Sequence, residues 1–172
     1  MAIDKFVQPL LKLDIFQGLK PLQITEIARR AFRIIYKPGE YIIKENDESD
    51  AAVVIVNGEA IRISGPGLQG KSEPILIGSI LAEMAMLIEM KYTSTIVAKS
   101  DVFALRISRE EICNFIKVDK SLAEHFIGRL THRIKAVSEE LHAIENSLEN
   151  NGLITFSQTS KTKLSTSSQI IH

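Results

Sequence analysis

The sequence contains no tryptophan and one cysteine, and aromatic residues make up 6% of it. A single thiol, Cys113, excludes an internal disulfide framework and suits a reducing compartment. Its apolar neighbours Ile112, Phe115 and Ile116 point to a buried structural thiol. Neither sign of charge prevails: Lys+Arg and Asp+Glu each number 21 in 172 residues. That balance argues against broad electrostatic binding to nucleic acid or anionic membrane. No apolar run approaches the roughly 20 residues of a membrane span. The first residues are too interrupted by charge for a signal peptide, so a cytoplasmic protein is expected. Local Ser-His-Asp or Cys-His signatures are missing. Of His125, His132, His142 and His172, the first two could share a helix face, but no Cys or third ligand accompanies them at metal spacing, and the histidines read as solvated helix residues. No catalysis and no metal are expected.

What is present divides the chain into four stretches. Residues 1–31 read as N-terminal helices, with Phe6, Leu10, Leu11 and Leu13 in one apolar cluster. Gly18 breaks the pattern, and Pro21 suits a helix start. Residues 32–107 hold about seven short strands with turn signals roughly every 8–12 residues, the pattern of an antiparallel sandwich or jelly roll. Pro38-Gly39 predicts a type II turn. Residues 45–50 read as a solvated acidic turn. Ala51 to Val56 predicts a buried strand, Asn57-Gly58 a type I′ hairpin, and Pro74 to Ile80 one further strand. Residues 108–150 predict two helices, the first opened by Ser108 in a capping box with Glu111. Residues 151–172 have no period; half of the last 16 are Ser or Thr, which predicts a flexible tail.

Residues 78–95 stand out. An extended apolar run is broken by Glu83, a short helix follows on Met84, Leu87 and Ile88, and a strand resumes from Thr93 to Val97. Burying a lone carboxylate unpaired is costly. Glu83 is therefore either a ligand-facing group or a residue at the start of the short helix, where the helix dipole favours it. A second motif, Gly65 to Ser72, matches the phosphate-cradling G-x-x-x-x-G-K-[ST] pattern. The chemistry requires a helix beginning at Lys71-Ser72, but Pro74 and a strand follow. A glycine-rich hairpin loop accounts for it better, and a P-loop nucleotide-binding protein is a distant alternative.

The second C-terminal helix carries a strict seven-residue repeat. Ile127, Ile134, Leu141 and Leu148 fall at a, and Leu130, Val137 and Ile144 at d. One reading is a long helix packed on its own barrel. A repeat that continues beyond the barrel's reach favours the other, a helix–helix seam and a homodimer. Glu140 at g would face Glu145 at e of a parallel twin, so the orientation of the helices stays open.

The order of these pieces resembles the cyclic nucleotide-binding domain family, the β-roll of the catabolite activator protein, regulatory kinase subunits and gated channels. The matching residues are Phe16-Gln17-Gly18-Leu19, Pro38-Gly39, Glu45-Asn46-Asp47 with Asp50, Val54 to Ala60, and Gly78 to Leu87. The resemblance covers about residues 12–148. It implies a mainly β fold, an antiparallel β-roll or jelly roll with flanking helices and a long C-terminal helix. It also implies that residues 78–95 are a phosphate-binding cassette. Its ligand-binding positions are Ala82, Glu83, Met84, Ala85, Tyr92 and Thr93, and its ligand is cyclic AMP or cyclic GMP. Two positions depart from the family pattern: Ala82 stands where the family has glycine, and Tyr92 where it has the arginine that holds the cyclic phosphate. The residues after Leu148 are too few for the helix-turn-helix domain of the bacterial transcription factors. The expectation is a stand-alone, non-enzymatic sensor or adaptor with weak, altered or lost cyclic nucleotide binding and an unidentified protein partner. The alternative is a ligand-free interaction and oligomerisation module.

Overall fold

In a computed structural model of the chain, residues 6–63 and 72–150 are described, with side chains up to residue 148. The helices are α1 (Val7–Leu11), α2 (Pro21–Arg30), α3 (Arg109–Val118) and α4 (Lys120–Asn150). The strands are β1 (Phe32–Tyr36), β2 (Tyr41–Ile43), β3 (Glu48–Ser49), β4 (Ala51–Asn57), β5 (Ala60–Ile63), β6 (Ser72–Ile75), β7 (Ile80–Leu81), β8 (Met90–Lys91), β9 (Thr95–Ala98) and β10 (Val102–Ser108). Among the described residues, the 3₁₀ turns Asp14–Phe16 and Glu83–Met86 interrupt the series. All strand pairings are antiparallel. One sheet has the order β1-β10-β4-β7, a second β2-β9-β5-β6, and β3 pairs with β8. This is the mainly β roll with flanking helices that the family resemblance implies.

Strand β4 explains why the roll has two cores. Side chains on a strand alternate between faces, and here both faces are covered. Ala52 and Val54 join Leu10, Phe16, Ile27, Leu105, Leu122 and Phe126 under the helices. Val53 and Ile55 join Ile43, Ile96, Val102 and Ala104 in the second core. A strand buried on both faces reads as a continuous apolar run rather than an alternation, as Ala51–Val56 does.

Several expectations change in the folded chain. Asn57-Gly58 does not close a hairpin, because β4 and β5 belong to different sheets. Asn57 is not at positive φ; Gly58 alone is, at +97°. A Cβ there would lie 2.4 Å from the Asp101 carbonyl oxygen. The pair thus marks a crossing between sheets under a close backbone approach. The Pro74–Ile80 stretch is not one strand but β6 and β7 in different sheets, with Leu76 and Ile77 exposed between them. Gly65 to Lys71 lie outside the described residues. Ser72 opens β6 opposite Ile63, so strand rather than helix follows the Lys-Ser pair.

The residues 2–31 predicted as helical resolve, from Phe6 onward, into α1, a 3₁₀ turn and α2, with Pro21 the first residue of α2. Pro38-Gly39 does form the predicted turn, with Gly39 at φ +88° and Glu40 N–H donating to the Lys37 carbonyl at 3.0 Å. Ser108 caps α3 by accepting from Glu111 N–H, but the Glu111 carboxylate turns to Arg30 at 3.2 Å, so the box is only half made. Cys113 is exposed, not buried. Ile112 and Phe115 take the inner face of α3, and Cys113, one step on from Ile112, faces outward on a 3.6-residue helix. His125 is not a solvated residue either: its Nε2 lies 2.8 Å from the Ile15 carbonyl and its ring stands edge-on to Phe126.

The chain forms two packing units, residues 1–130 and 131–172, which divide within α4. In the first unit, Leu122 and Phe126 of α4 are buried in the helix-side core. In the second, Ile134, Val137, Leu141 and Ile144 are each more than half exposed. The region from residue 151 onward lies outside the described residues.

Candidate functional site

A cleft of about 340 Å³ opens between the second sheet and the segment that runs from β7 to β9. Its apolar wall is Ile43, Ile96, Met90 and Ala82. Its polar groups are Arg62, Tyr92, Thr93 and Ser94. Arg62 is the one charged residue among these, so the cleft is electropositive and rich in hydroxyls.

The backbone around Ala82 shapes the cleft. Ala82 is left-handed, at φ +50° and ψ +46°, just before the Glu83–Met86 turn. A side chain at such a position costs about 1–2 kcal/mol, which is why a glycine would be at ease there. The turn is closed by Ala85 N–H to the Ala82 carbonyl and Leu87 N–H to the Met84 carbonyl, both at 2.9 Å. It replaces the short α-helix expected from Met84, Leu87 and Ile88. Glu83 opens this turn and is half-buried. Ala85 is fully buried.

Tyr92 is held from three sides. Its N–H donates to the Asp47 carbonyl at 3.1 Å, its carbonyl accepts from Asn46 N–H at 2.9 Å, and its hydroxyl donates to the Ala51 carbonyl at 3.1 Å. Burial pushes its phenol above the ordinary tyrosine range, and the nearby Asp50 carboxylate adds to the rise. Tyr92 is therefore a neutral hydroxyl, not a substitute charge. Asn46, at φ +69°, turns the acidic 45–50 stretch so that its backbone meets Tyr92. The strand expected from Thr93 begins at Thr95, which leaves Thr93 and Ser94 irregular at the mouth of the cleft.

Of the six positions predicted for ligand binding, Ala82, Tyr92 and Thr93 line the cleft, while Glu83, Met84 and Ala85 form the adjoining turn. Arg62, Ile43, Met90, Ser94 and Ile96 line it without having been singled out by sequence. One signal was legible for Arg62. In a strand with alternating faces it has the same parity as Ala60, which is 2% exposed.

Arg109, the first residue of α3, ties the turn to the helices. Its Nη1 donates to the Ile88 carbonyl at 2.8 Å, to Ser49 at 3.1 Å and to Ala85 at 3.4 Å. At the far end of α3, Asp119 accepts from Ser121 Oγ and Gln23 Nε2, both at 2.7 Å. These hydrogen bonds, that to Ser121 first, hold its carboxyl below the usual range.

The family model for the cyclic nucleotide-binding domain matches residues 33–119. The chain belongs to the cyclic nucleotide-binding domain family. A cAMP-dependent protein kinase regulatory subunit from Aspergillus niger is 31% identical over 99 residues, 58% of this chain and 24% of that protein. The chain thus spans about a quarter of the length of that curated relative. Among solved structures, the N-terminal domain of a transcriptional regulator from Streptomyces coelicolor superposes with a TM-score of 0.71 at 16% identity. The match covers 80% of this chain and 95% of that one. A cyclic nucleotide-binding-like protein from Brucella abortus superposes with a TM-score of 0.62 at 24% identity, over 66% of this chain and 99% of the other. At these identities both likenesses concern the fold. Among the described residues no helix is long and apolar enough to cross a membrane.

Proposed function

We propose that this chain is a non-enzymatic regulatory module whose cleft takes a cyclic nucleotide, cyclic AMP or cyclic GMP, with lowered affinity. The observation that carries the reading is the cleft itself, walled by Ala82, Tyr92 and Thr93 and adjoined by Glu83. The cationic position of the family cassette is held here by a neutral tyrosine. Loss of one charge-assisted phosphate contact removes about 1.5–3 kcal/mol, a weakening of about ten- to a hundredfold. Occupancy of the cleft is read out through Arg109, which grips the cassette turn from the start of α3. The a and d residues of α4, the exposed Ile127, Ile134, Val137, Leu141 and Ile144 with the half-buried Leu130 and Leu148, pair with a second copy of the chain.

Calorimetric titration with cyclic AMP and cyclic GMP tests the ligand. Expected is a saturable heat that Glu83→Ala removes; silence at millimolar nucleotide, with no thermal shift, would defeat the sensor reading. A second reading, a ligand-free assembly module in the cytoplasm, is favoured by the Tyr92 hydroxyl, which is already satisfied by Ala51 rather than offered to the cleft. In that case the titration is silent while self-association persists.

A further inference from the structure

Strand β5 brings an arginine into the cleft. Arg62 lies in the interior of its sheet, opposite Glu73 of β6 and Ile96 of β9. Ile96 is 1% exposed and Ala60, two residues before Arg62, is 2% exposed, so the parity of the strand turns Arg62 inward. Inward positions of this sheet are otherwise apolar: Ile43, Ala60, Ile96 and Ala98 belong to the second core.

The Arg62 side chain is 40% exposed, so its outer part reaches the open cleft while its Nε is covered, and its compensation by the described residues is poor. Nε of Arg62 is buried and makes no hydrogen bond among the described residues. The nearest carboxylate, Glu73, stands 3.8 Å from Nη1, beyond hydrogen-bond range, and its side chain is 64% exposed. Buried polar groups are almost always satisfied, and this Nε finds no partner among the described residues. Thr93 and Ser94 add hydroxyl donors across the same space, and among the described residues no carboxylate lines it.

We propose that Arg62 is the phosphate-holding residue of this cleft, so that the ligand's anion faces strand β5 rather than position 92 of the cassette. The planar guanidinium fork matches phosphate oxygens geometrically. This deepens the cyclic nucleotide reading and rests on it for the identity of the ligand, but not for the anion site.

The test follows the Arg62 Nε–Hε resonance in ¹⁵N-labelled protein, assigned by its loss in Arg62→Lys. The probes are cyclic AMP, inorganic pyrophosphate and, as an uncharged control, adenosine. Expected are saturable shifts with both anions and none with adenosine. Arg62→Gln, checked for an unchanged thermal melt, weakens cyclic AMP binding by at least about tenfold, and Arg62→Lys keeps part of the affinity. A resonance unmoved by either anion overturns the proposal, and so does wild-type cyclic AMP affinity in Arg62→Gln. The latter result leaves the cyclic nucleotide reading standing. A shift with pyrophosphate but not with cyclic AMP supports the Arg62 anion site and removes the cyclic nucleotide. Should Arg62→Gln fail to fold, the wild-type resonance still decides.

Discussion

Ala82 adopts φ +50° where a Cβ is unfavourable, directly beside the cleft. Such strain persists only where the surroundings hold it, and it concentrates at functional sites. Ala82→Gly relieves it, offset in part by the extra freedom of glycine in the unfolded chain. The variant is expected to gain about 0.5–1 kcal/mol in a urea melt; a loss of stability would mean that the Ala82 methyl contributes more through packing than it costs in backbone strain. Tyr92 acts in the opposite sense. Tyr92→Phe removes the hydroxyl bond to Ala51 and should cost about 0.5–1.5 kcal/mol. The same variant has a signature at high pH. Burial raises the phenols of Tyr36 and Tyr92 in the folded state. Raised groups contribute stability that is complete below the unfolded value of about 10 and is lost as pH rises through the folded one. Tyr92→Phe should therefore show a shallower fall in stability above about pH 10 than the wild type. Equal slopes would show that Tyr92 does not carry this effect.

At the scale of elements, the roll depends on joints rather than on strand propensity alone. Gly58 carries the chain from β4 in one sheet to β5 in the other at φ +97°, against the Asp101 carbonyl. Gly58→Ala meets both the backbone penalty and a steric clash. It should destabilise by at least about 2 kcal/mol, measured by denaturant unfolding. A loss below half that would mean the crossing relaxes easily. Ser108 is a second joint, the last residue of β10 and the cap of α3. Its hydroxyl accepts from Glu111 N–H at 3.3 Å. Ser108→Ala should cost about 1 kcal/mol, and α3 amides near the cap should exchange faster with solvent. Because Arg109 follows directly and grips Ser49, Ala85 and Ile88, fraying here also loosens the cassette turn.

For the whole molecule, the charge balance and the α4 repeat set the expectation. With Lys+Arg and Asp+Glu equal, net repulsion does not oppose association. Ile134 is 66% and Leu141 55% exposed on a helix of 31 residues, and apolar residues repeated at this spacing are the knobs of a coiled-coil seam. In sedimentation the wild type should run as a dimer and Ile134→Asp as a monomer with an intact β-roll spectrum. A wild-type monomer would sink the seam.

The elements whose partners lie within a few residues could be read from the chain alone. The Pro38-Gly39 turn, the α2 start at Pro21 and the buried run Ala51–Val56 depend on local backbone limits and on one-dimensional apolar patterns. So does the heptad register of α4. The order of these pieces was enough to identify the family and its roll. What the chain alone could not decide was which face meets which neighbour. Asn57-Gly58 looked like a hairpin because the sequence does not state that the strands on either side pair elsewhere. Cys113 looked buried because helix phase, not adjacent apolar residues, decides exposure. Arg62 gained its meaning only when the pairing of β5 between β6 and β9 turned a surface-looking cation toward the cleft. Long-range strand pairing sets side-chain direction, and direction decides whether a charge meets water or a ligand.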